Sequence, residues 1–332
     1  MRKPRILVVG SFVMDLITTT RVFPASGETV LGESFANAPG GKGANQAVQA
    51  ARLGADVTMV GKVGQDGFGD QLLSSAKASG VHVDKVARDQ NGVSSAVGNI
   101  TLEVDEKGDR HNRIIVVSGA NMTITEQDIS FLKEEIAQYD LVMLQFEIPM
   151  AIDVMVAKWA REKGVAVMVN PAPAAPIPEE LLACATYLSP NEHEAAALTG
   201  VPIRVDGGLN LADVEKVSRA LQQKGVENVL ITLGENGAAL TGKDGLHHIP
   251  SVPNVAVADP TAAGDSFVAA FCVGVCAGLN SRQAMDFARN TAAITVSRPG
   301  AQPSLPMLSD VEAGLALHGE KDFPMDKLAV LK

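Results

Sequence analysis

Six short apolar runs, rich in Val, Ile and Leu, recur along the chain with helix-length segments between most of them. They are RILVV (5–9), VTMVGKV (57–63), DLVMLQF (140–146), VAVMVN (165–170), TYL (186–188) and NVLITL (228–233). None alternates cleanly between polar and apolar residues, as a strand with one wet face would. Continuous apolar strands of this kind are buried on both faces and belong to parallel sheets. The segments at 41–53, 66–79, 149–163, 209–224 and 263–278 carry helical periodicity. Strand–helix alternation predicts an α/β fold, doubly wound, with a mostly parallel sheet and helices on both faces. At 332 residues the chain is long enough for one large core.

Two stretches break this rhythm. Residues 12–37 and 92–117 alternate polar and apolar residues with no helix between paired strands, and the second reads as a hairpin turning at Asp105–Asp109. Together they predict a small antiparallel β-sheet beside the main sheet, placed as a lid over a cleft. The main domain is expected to span 1–316, with 317–332 as a peripheral tail.

The formal net charge of −10 argues against nucleic-acid or membrane-surface binding, since phosphate backbones and anionic lipids attract Lys and Arg. Cys184, Cys272 and Cys276 are too few and too scattered for a disulfide framework or a thiolate metal site. The apolar start is too short for a signal peptide and no run approaches a membrane span, so a cytoplasmic location is expected.

Two small-residue segments, each leading into a helix, stand out. Pro39-Gly40-Gly41-Lys42-Gly43-Ala44-Asn45-Gln46 allows close backbone approach at the positive end of a helix. It matches neither G-x-x-x-x-G-K-[ST] nor G-x-G-x-x-G. Asp259-Pro260-Thr261-Ala262-Ala263-Gly264-Asp265-Ser266 would present free N–H groups to an anion, with Asp265 in the first helical turn able to take a proton from an attacking hydroxyl. Each segment alone also reads as an ordinary glycine turn or a helix with an acidic first turn.

As a pair, GGKGANQA and D-x-T-A-A-G-D-S-F resemble the signatures of the ribokinase-like (PfkB) carbohydrate kinases. Further stretches match: GSFVMD (10–15), PxxGET (24–29), KVGxDxFG (62–69), GAN (119–121), NPAPA (170–174), PNEHEAAALTG (190–200), ITLGENG (231–237) and SRPGAQPSLP (297–306). The resemblance spans about residues 5 to 315, and AAGD and GAQPS are most similar to the ribokinase branch. It implies transfer of the γ-phosphoryl of ATP to the 5-hydroxyl of a pentose. Asp265 would be the base, and the N–H groups of Ala262, Ala263 and Gly264 the anion hole. It further implies sugar contacts from Asp15, Gly41, Lys42, Asn45 and Glu147, and nucleotide contacts from Asn191, Thr232, Gly234 and Gly237. Glu194 would assist Mg²⁺ indirectly. A K⁺ ion would lie against Asp259, Thr261, Thr295, Arg298, Gly300 and Ser304, and two subunits would clasp lids as a homodimer.

Two positions depart from the family pattern. Val13 stands where these kinases usually carry Asn; a hydroxyl buried against it would lose a partner worth about 1–3 kcal/mol. Deoxyribose kinases of the family place an apolar residue there, which puts 2-deoxyribose beside ribose as a substrate. Met14, beside it, is expected to add apolar bulk in the same strand. Pro260 replaces the usual Thr and removes one N–H beside the anion hole. A hexose or nucleoside kinase on the same fold, and a sugar-binding sensor without turnover, are the competing readings. A dinucleotide-binding oxidoreductase is disfavoured, since G-x-G-x-x-G is missing after the first strand.

Overall fold

The computed structural model describes residues 2–104, 110–205 and 208–332. Its main sheet has nine strands, ordered Val81–His82, Asp56–Val60, Arg5–Val9, Leu141–Gln145, Ala166–Asn170, Tyr187–Leu188, Asn228–Thr232, Ala238–Gly242 and Gly245–Ile249. The first seven pair in parallel and the last two close the edge as an antiparallel hairpin. All six apolar runs of the sequence contribute a strand to this sheet, although the end of the second, Lys62–Val63, pairs instead with Ala87–Arg88 in a separate two-stranded sheet.

The central strand shows why they are apolar throughout. Ile6 and Val8 point into one helical layer while Leu7 and Val9 point into the other, and all four are fully buried. Each such side chain contributes about 1.5–3 kcal/mol by leaving water. The first layer includes the helices Lys42–Arg52, Gly67–Ala78, Ala263–Cys276, Ser281–Val296 and Leu308–His318; the second includes Met150–Glu162, Glu179–Cys184 and Leu211–Gln222. The helix Ala263–Cys276 is apolar nearly all round and buried from Asp265 to Gly274, so it is packed on several sides.

The chain leaves Arg5–Val9 for Asp56–Val60 on one side and later returns to Leu141–Gln145 on the other. In such sheets a cleft opens beyond the carboxyl ends of the strands where the winding reverses. Here that point is bordered by Gly10, Gly61 and Gln145.

A separate four-stranded sheet takes its strands in the order Ser34–Gly40, Val13–Thr20, Val97–Val104 and Arg110–Val117. Each outer pair is an antiparallel hairpin, and the two hairpins join along a parallel pair in which Asp15 faces Gly98. The expected turn at 105–109 lies outside the described residues. The strand Ser34–Gly40 runs through Gly41 directly into the helix Lys42–Arg52, so the lid and the floor of the cleft are one continuous segment. Within the segment expected as a peripheral tail, Leu328 and Leu331 are buried in the first layer's core.

Candidate active site

The start of the helix Lys42–Arg52 presses on the turn that follows the first strand. A β-carbon at Gly43 would stand 2.5 Å from Ser11 N, and one at Gly41 2.8 Å from Val13 N. Gly41 also has φ of 91°, a conformation that disfavours any side chain. These glycines are therefore fixed by backbone packing. The contact lets protein groups satisfy the helix's first N–H groups. Glu147 Oε2 accepts from Lys42 N (2.9 Å), Ser11 Oγ from Gly43 N (3.3 Å) and Ser11 O from Ala44 N (2.9 Å). Ser11 Oγ–H in turn donates to Glu147.

Asp15 lies on the lid strand above this floor. A β-carbon at Gly98 would come within 2.5 Å of Asp15 Oδ1 and 3.7 Å of Val13 Cγ1, so Asp15 and Val13 stand side by side on one face. Met14, which adds apolar bulk to the same strand, takes the opposite face and is fully buried in the core. Burial, reinforced by the charge of Glu147, pushes the Asp15 carboxyl up to about 6. Lys42 is half buried. Burial pulls its ammonium down, but the surrounding carboxylates of Asp265, Glu147 and Glu194 outweigh it, and the net shift is upward. Lys42 thus senses Glu147, Asp265 and Glu194 at once.

Asp265 is buried at the start of the helix Ala263–Cys276. Asn45 Nδ2 donates to its Oδ2 (2.9 Å) and Gln46 Nε2 to its Oδ1 (3.1 Å). The oxygen of the Asn45 amide, Oδ1, is buried with no partner among the described residues. The helix begins at Ala262, which sits in the left-handed region at φ 61° and caps nothing with its side chain. The three-residue anion hole needs one correction. Ala263 N donates to the Pro260 carbonyl (3.2 Å), closing a turn, whereas Gly264 N has no acceptor among the described residues. Gly264 is exposed, with open space where a β-carbon would be.

Asn191 and Glu194 form a capping box on the helix Glu192–Thr199: Asn191 Oδ1 accepts from His193 N and Glu194 N, and Glu194 Oε2 accepts from Asn191 N (2.9 Å). Glu194 is half buried, and burial raises its carboxyl against the opposing pull of the Asn191 N–H and Lys42. Asn191 bridges to Thr232, so these two lie together at the sheet's carboxyl edge. Gly234 follows there at φ 54°. Gly237 stands apart: a β-carbon on it would lie 2.0 Å from the Ile249 carbonyl, so its glycine is required by the edge hairpin.

Asp259 ties two loops together, accepting from Thr261 N (2.9 Å) and Thr261 Oγ1 (2.6 Å) and from Gly300 N (2.9 Å). Thr295 Oγ1 and Ser304 Oγ donate to backbone carbonyls of their own segments, and Arg298 pairs with Asp310 at 3.2 Å. The side chains of this set are thus engaged with neighbouring loops and helices.

Four polar residues of the site were not singled out from the sequence: Ser11, Gln46, Gln145 and Asn170. Each is buried. A signal existed for three of them, since Ser11, Gln145 and Asn170 sit where an apolar run of a parallel strand ends, the place where such folds put ligand-facing groups.

The profile of the pfkB family of carbohydrate kinases matches residues 3–308. A ribokinase of Bacillus subtilis (strain 168) is 40% identical, covering 92% of this chain and 98% of its own length. A deoxyribokinase of Salmonella typhi is 32% identical, covering 94% and 99%. The structure of Arabidopsis thaliana ribokinase complexed with ribose and ATP superposes with a TM-score of 0.85 at 32% identity, covering 95% of this chain and 99% of that one.

Proposed function

We propose a pentose as the acceptor of this chain, which belongs to the pfkB family of carbohydrate kinases and is an ATP-dependent sugar kinase. The observation that carries the proposal is the convergence of Asp15, Lys42, Asn45 and Glu147 with Asp265 at one cleft, from four separate parts of the chain. The sugar's 5-hydroxyl oxygen attacks the γ-phosphorus of ATP. The new O–P bond forms as the bond to the β-bridging oxygen breaks, ADP leaves, and the hydroxyl proton passes to Asp265. The free N–H of Gly264 faces the negative charge that spreads over the phosphoryl oxygens. Asn45, whose amide oxygen has no partner among the described residues, is suited to accept from a sugar hydroxyl. Asn191, Thr232 and Gly234 supply the nucleotide side; Gly237 is a structural glycine of that wall.

Val13 shares the face of Asp15, which favours an acceptor lacking a hydroxyl there, and we place 2-deoxyribose ahead of ribose. Turnover with Mg-ATP over both pentoses, fructose, adenosine and inosine tests this, with Asp265→Asn as control. Preference for 2-deoxyribose, lost in the control, supports both parts. A wide preference for ribose sinks the Val13 argument alone, and turnover of adenosine or fructose alone replaces the pentose reading.

Mg²⁺ and K⁺ are implied by the family. Among the described residues no cluster of three or more His, Cys, Asp or Glu is placed to hold a metal. Mg²⁺ therefore fits as an ion carried on nucleotide phosphates, with Glu194 reaching it indirectly, and it supplies charge neutralisation there. A monovalent ion would fit the loop pair joined at Asp259, against Thr261, Thr295, Arg298, Gly300 and Ser304, several of them through backbone carbonyls, and would stiffen the anion-hole loop. A homodimer through the lid is supported by its exposed apolar surface: Leu31 is 92% exposed, Phe35 and Ile115 67% each. Sedimentation of Ile115→Lys as a monomer, against a dimeric parent, is the expected result.

A further inference from the structure

Gln46 is fully buried, touches no solvent and sits one residue beyond the sugar-facing Asn45. Its Nε2 donates both to Asp265 Oδ1 (3.1 Å) and to Asn170 Oδ1 (3.0 Å). Its Oε1 accepts from Gln145 Nε2 (2.6 Å). Asn170 Nδ2 in turn donates to the carbonyl of Ser189 (2.8 Å).

This chain of amides has a direction. The Ser189 carbonyl can only accept, so Asn170 must aim its NH₂ there and its oxygen at Gln46. Gln46 must then aim its NH₂ at Asn170 and Asp265. Its oxygen is left for the NH₂ of Gln145. An amide flip anywhere along the line would set oxygen against oxygen in a site closed to water, where unpaired polar groups are costly. Three strand ends and the cleft helix thus fix the orientation of one carboxamide, and that carboxamide fixes one oxygen of Asp265. Asn45 holds the other oxygen but is also placed to meet the sugar, so it is the partner free to adjust.

We propose that Gln46 is the positioning residue for Asp265, held by Gln145 and Asn170 so that the carboxylate keeps one rotamer while Asn45 and the substrate exchange hydrogen bonds at its other oxygen. The inference rests on Asp265 being the base. Misplacing a base changes the chemical step more than substrate binding, because it acts on the transition state.

The test is steady-state kinetics on the full-length protein. Gln46→Met keeps length and removes the donor and the acceptor. We expect kcat to fall about 10–100-fold, with KM for sugar and ATP within about threefold. Gln145→Met, which removes the donor to Gln46 Oε1 and loosens the Gln46 amide without touching Asp265, should give a loss of about 3–10-fold with the same kcat-only character. In an Asp265→Asn background Gln46→Met should cause no further loss, because both changes act through one group. Equal losses in both backgrounds, a change confined to KM, or wild-type kcat would overturn the inference. If Gln46→Met does not fold, Gln145→Met decides by the same criteria. Full activity in Asp265→Asn itself would instead remove the base assignment.

Discussion

The helices Lys42–Arg52 and Ala263–Cys276 both begin at the cleft, and their first turns are built in opposite ways. At Lys42 the free N–H groups are taken by the protein itself, from Glu147 and Ser11, and two glycines are fixed by backbone contact. At Ala263 no side chain caps the helix, the residue before it sits in the left-handed region, and Gly264 N is left without an acceptor among the described residues. Either segment reads in sequence as a place for an anion. The positive end of a helix attracts negative charge, and at Lys42 that charge is a resident carboxylate. Only the second start keeps an N–H open to an anion among the described residues; the first is complete within the protein.

The strongest way to break this contrast is a pair of glycine substitutions. Gly43→Ala places a methyl 2.5 Å from the Ser11 nitrogen, which cannot move without moving the first strand's turn. Chemical denaturation should show a loss of about 3 kcal/mol or more, with sugar turnover falling alongside. Equal stability to the parent would mean that the floor is not tightly packed. Gly264→Ala, with open space around it, marks the other extreme, and is returned to last.

A second contrast is between two buried carboxylates. Asp265 has two amide donors, whereas both oxygens of Asp153, in the helix Met150–Glu162, lack partners among the described residues. Burial lifts the Asp153 carboxyl well above the usual carboxylate range. The folded protein keeps a proton there that the unfolded chain releases near pH 4, so the associated stability is complete below about pH 4 and is lost as pH rises. Asp153→Val should stabilise the protein by about 1–3 kcal/mol at pH 7, and by less near pH 4. Urea titrations at the two pH values measure this; destabilisation at pH 7 would reveal a partner for Asp153.

Asp15 supplies a smaller effect on function. Its carboxyl titrates at about 6, and only the charged form accepts from a sugar hydroxyl with both oxygens. The kcat/KM for the sugar should therefore decline below pH 6, approaching tenfold per pH unit, and Asp15→Asn should flatten that limb at a lower plateau. A parent profile level down to pH 5 would take Asp15 out of sugar binding. The smallest expected change is that of Gly264→Ala, whose melting should stay within about 0.5 kcal/mol of the parent. A large loss there would show that the start at Ala263 is as tightly packed as the start at Lys42.

Sequence by itself determined the parts governed by short-range periodicity. Runs such as RILVV and LVML had to be strands buried on both faces, since a parallel sheet between two helical layers is the arrangement that covers both faces of such a run. The small residues of GGKGAN and AAGD announced close approach, although not to what. The tertiary structure decided what those residues approach. It turned Val13 towards Asp15 and Met14 into the core, joined the two lid hairpins by a parallel pair, and anchored the chain's end through Leu328 and Leu331. It also brought Glu147 to Lys42 across 105 positions, and Asp265 to Asn45 across 220. Periodicities of 2 and 3.6 are written within a few residues of one another. A hydrogen bond across 220 positions is set by the crossing of a whole sheet, and no local pattern records which amide will meet which carboxylate.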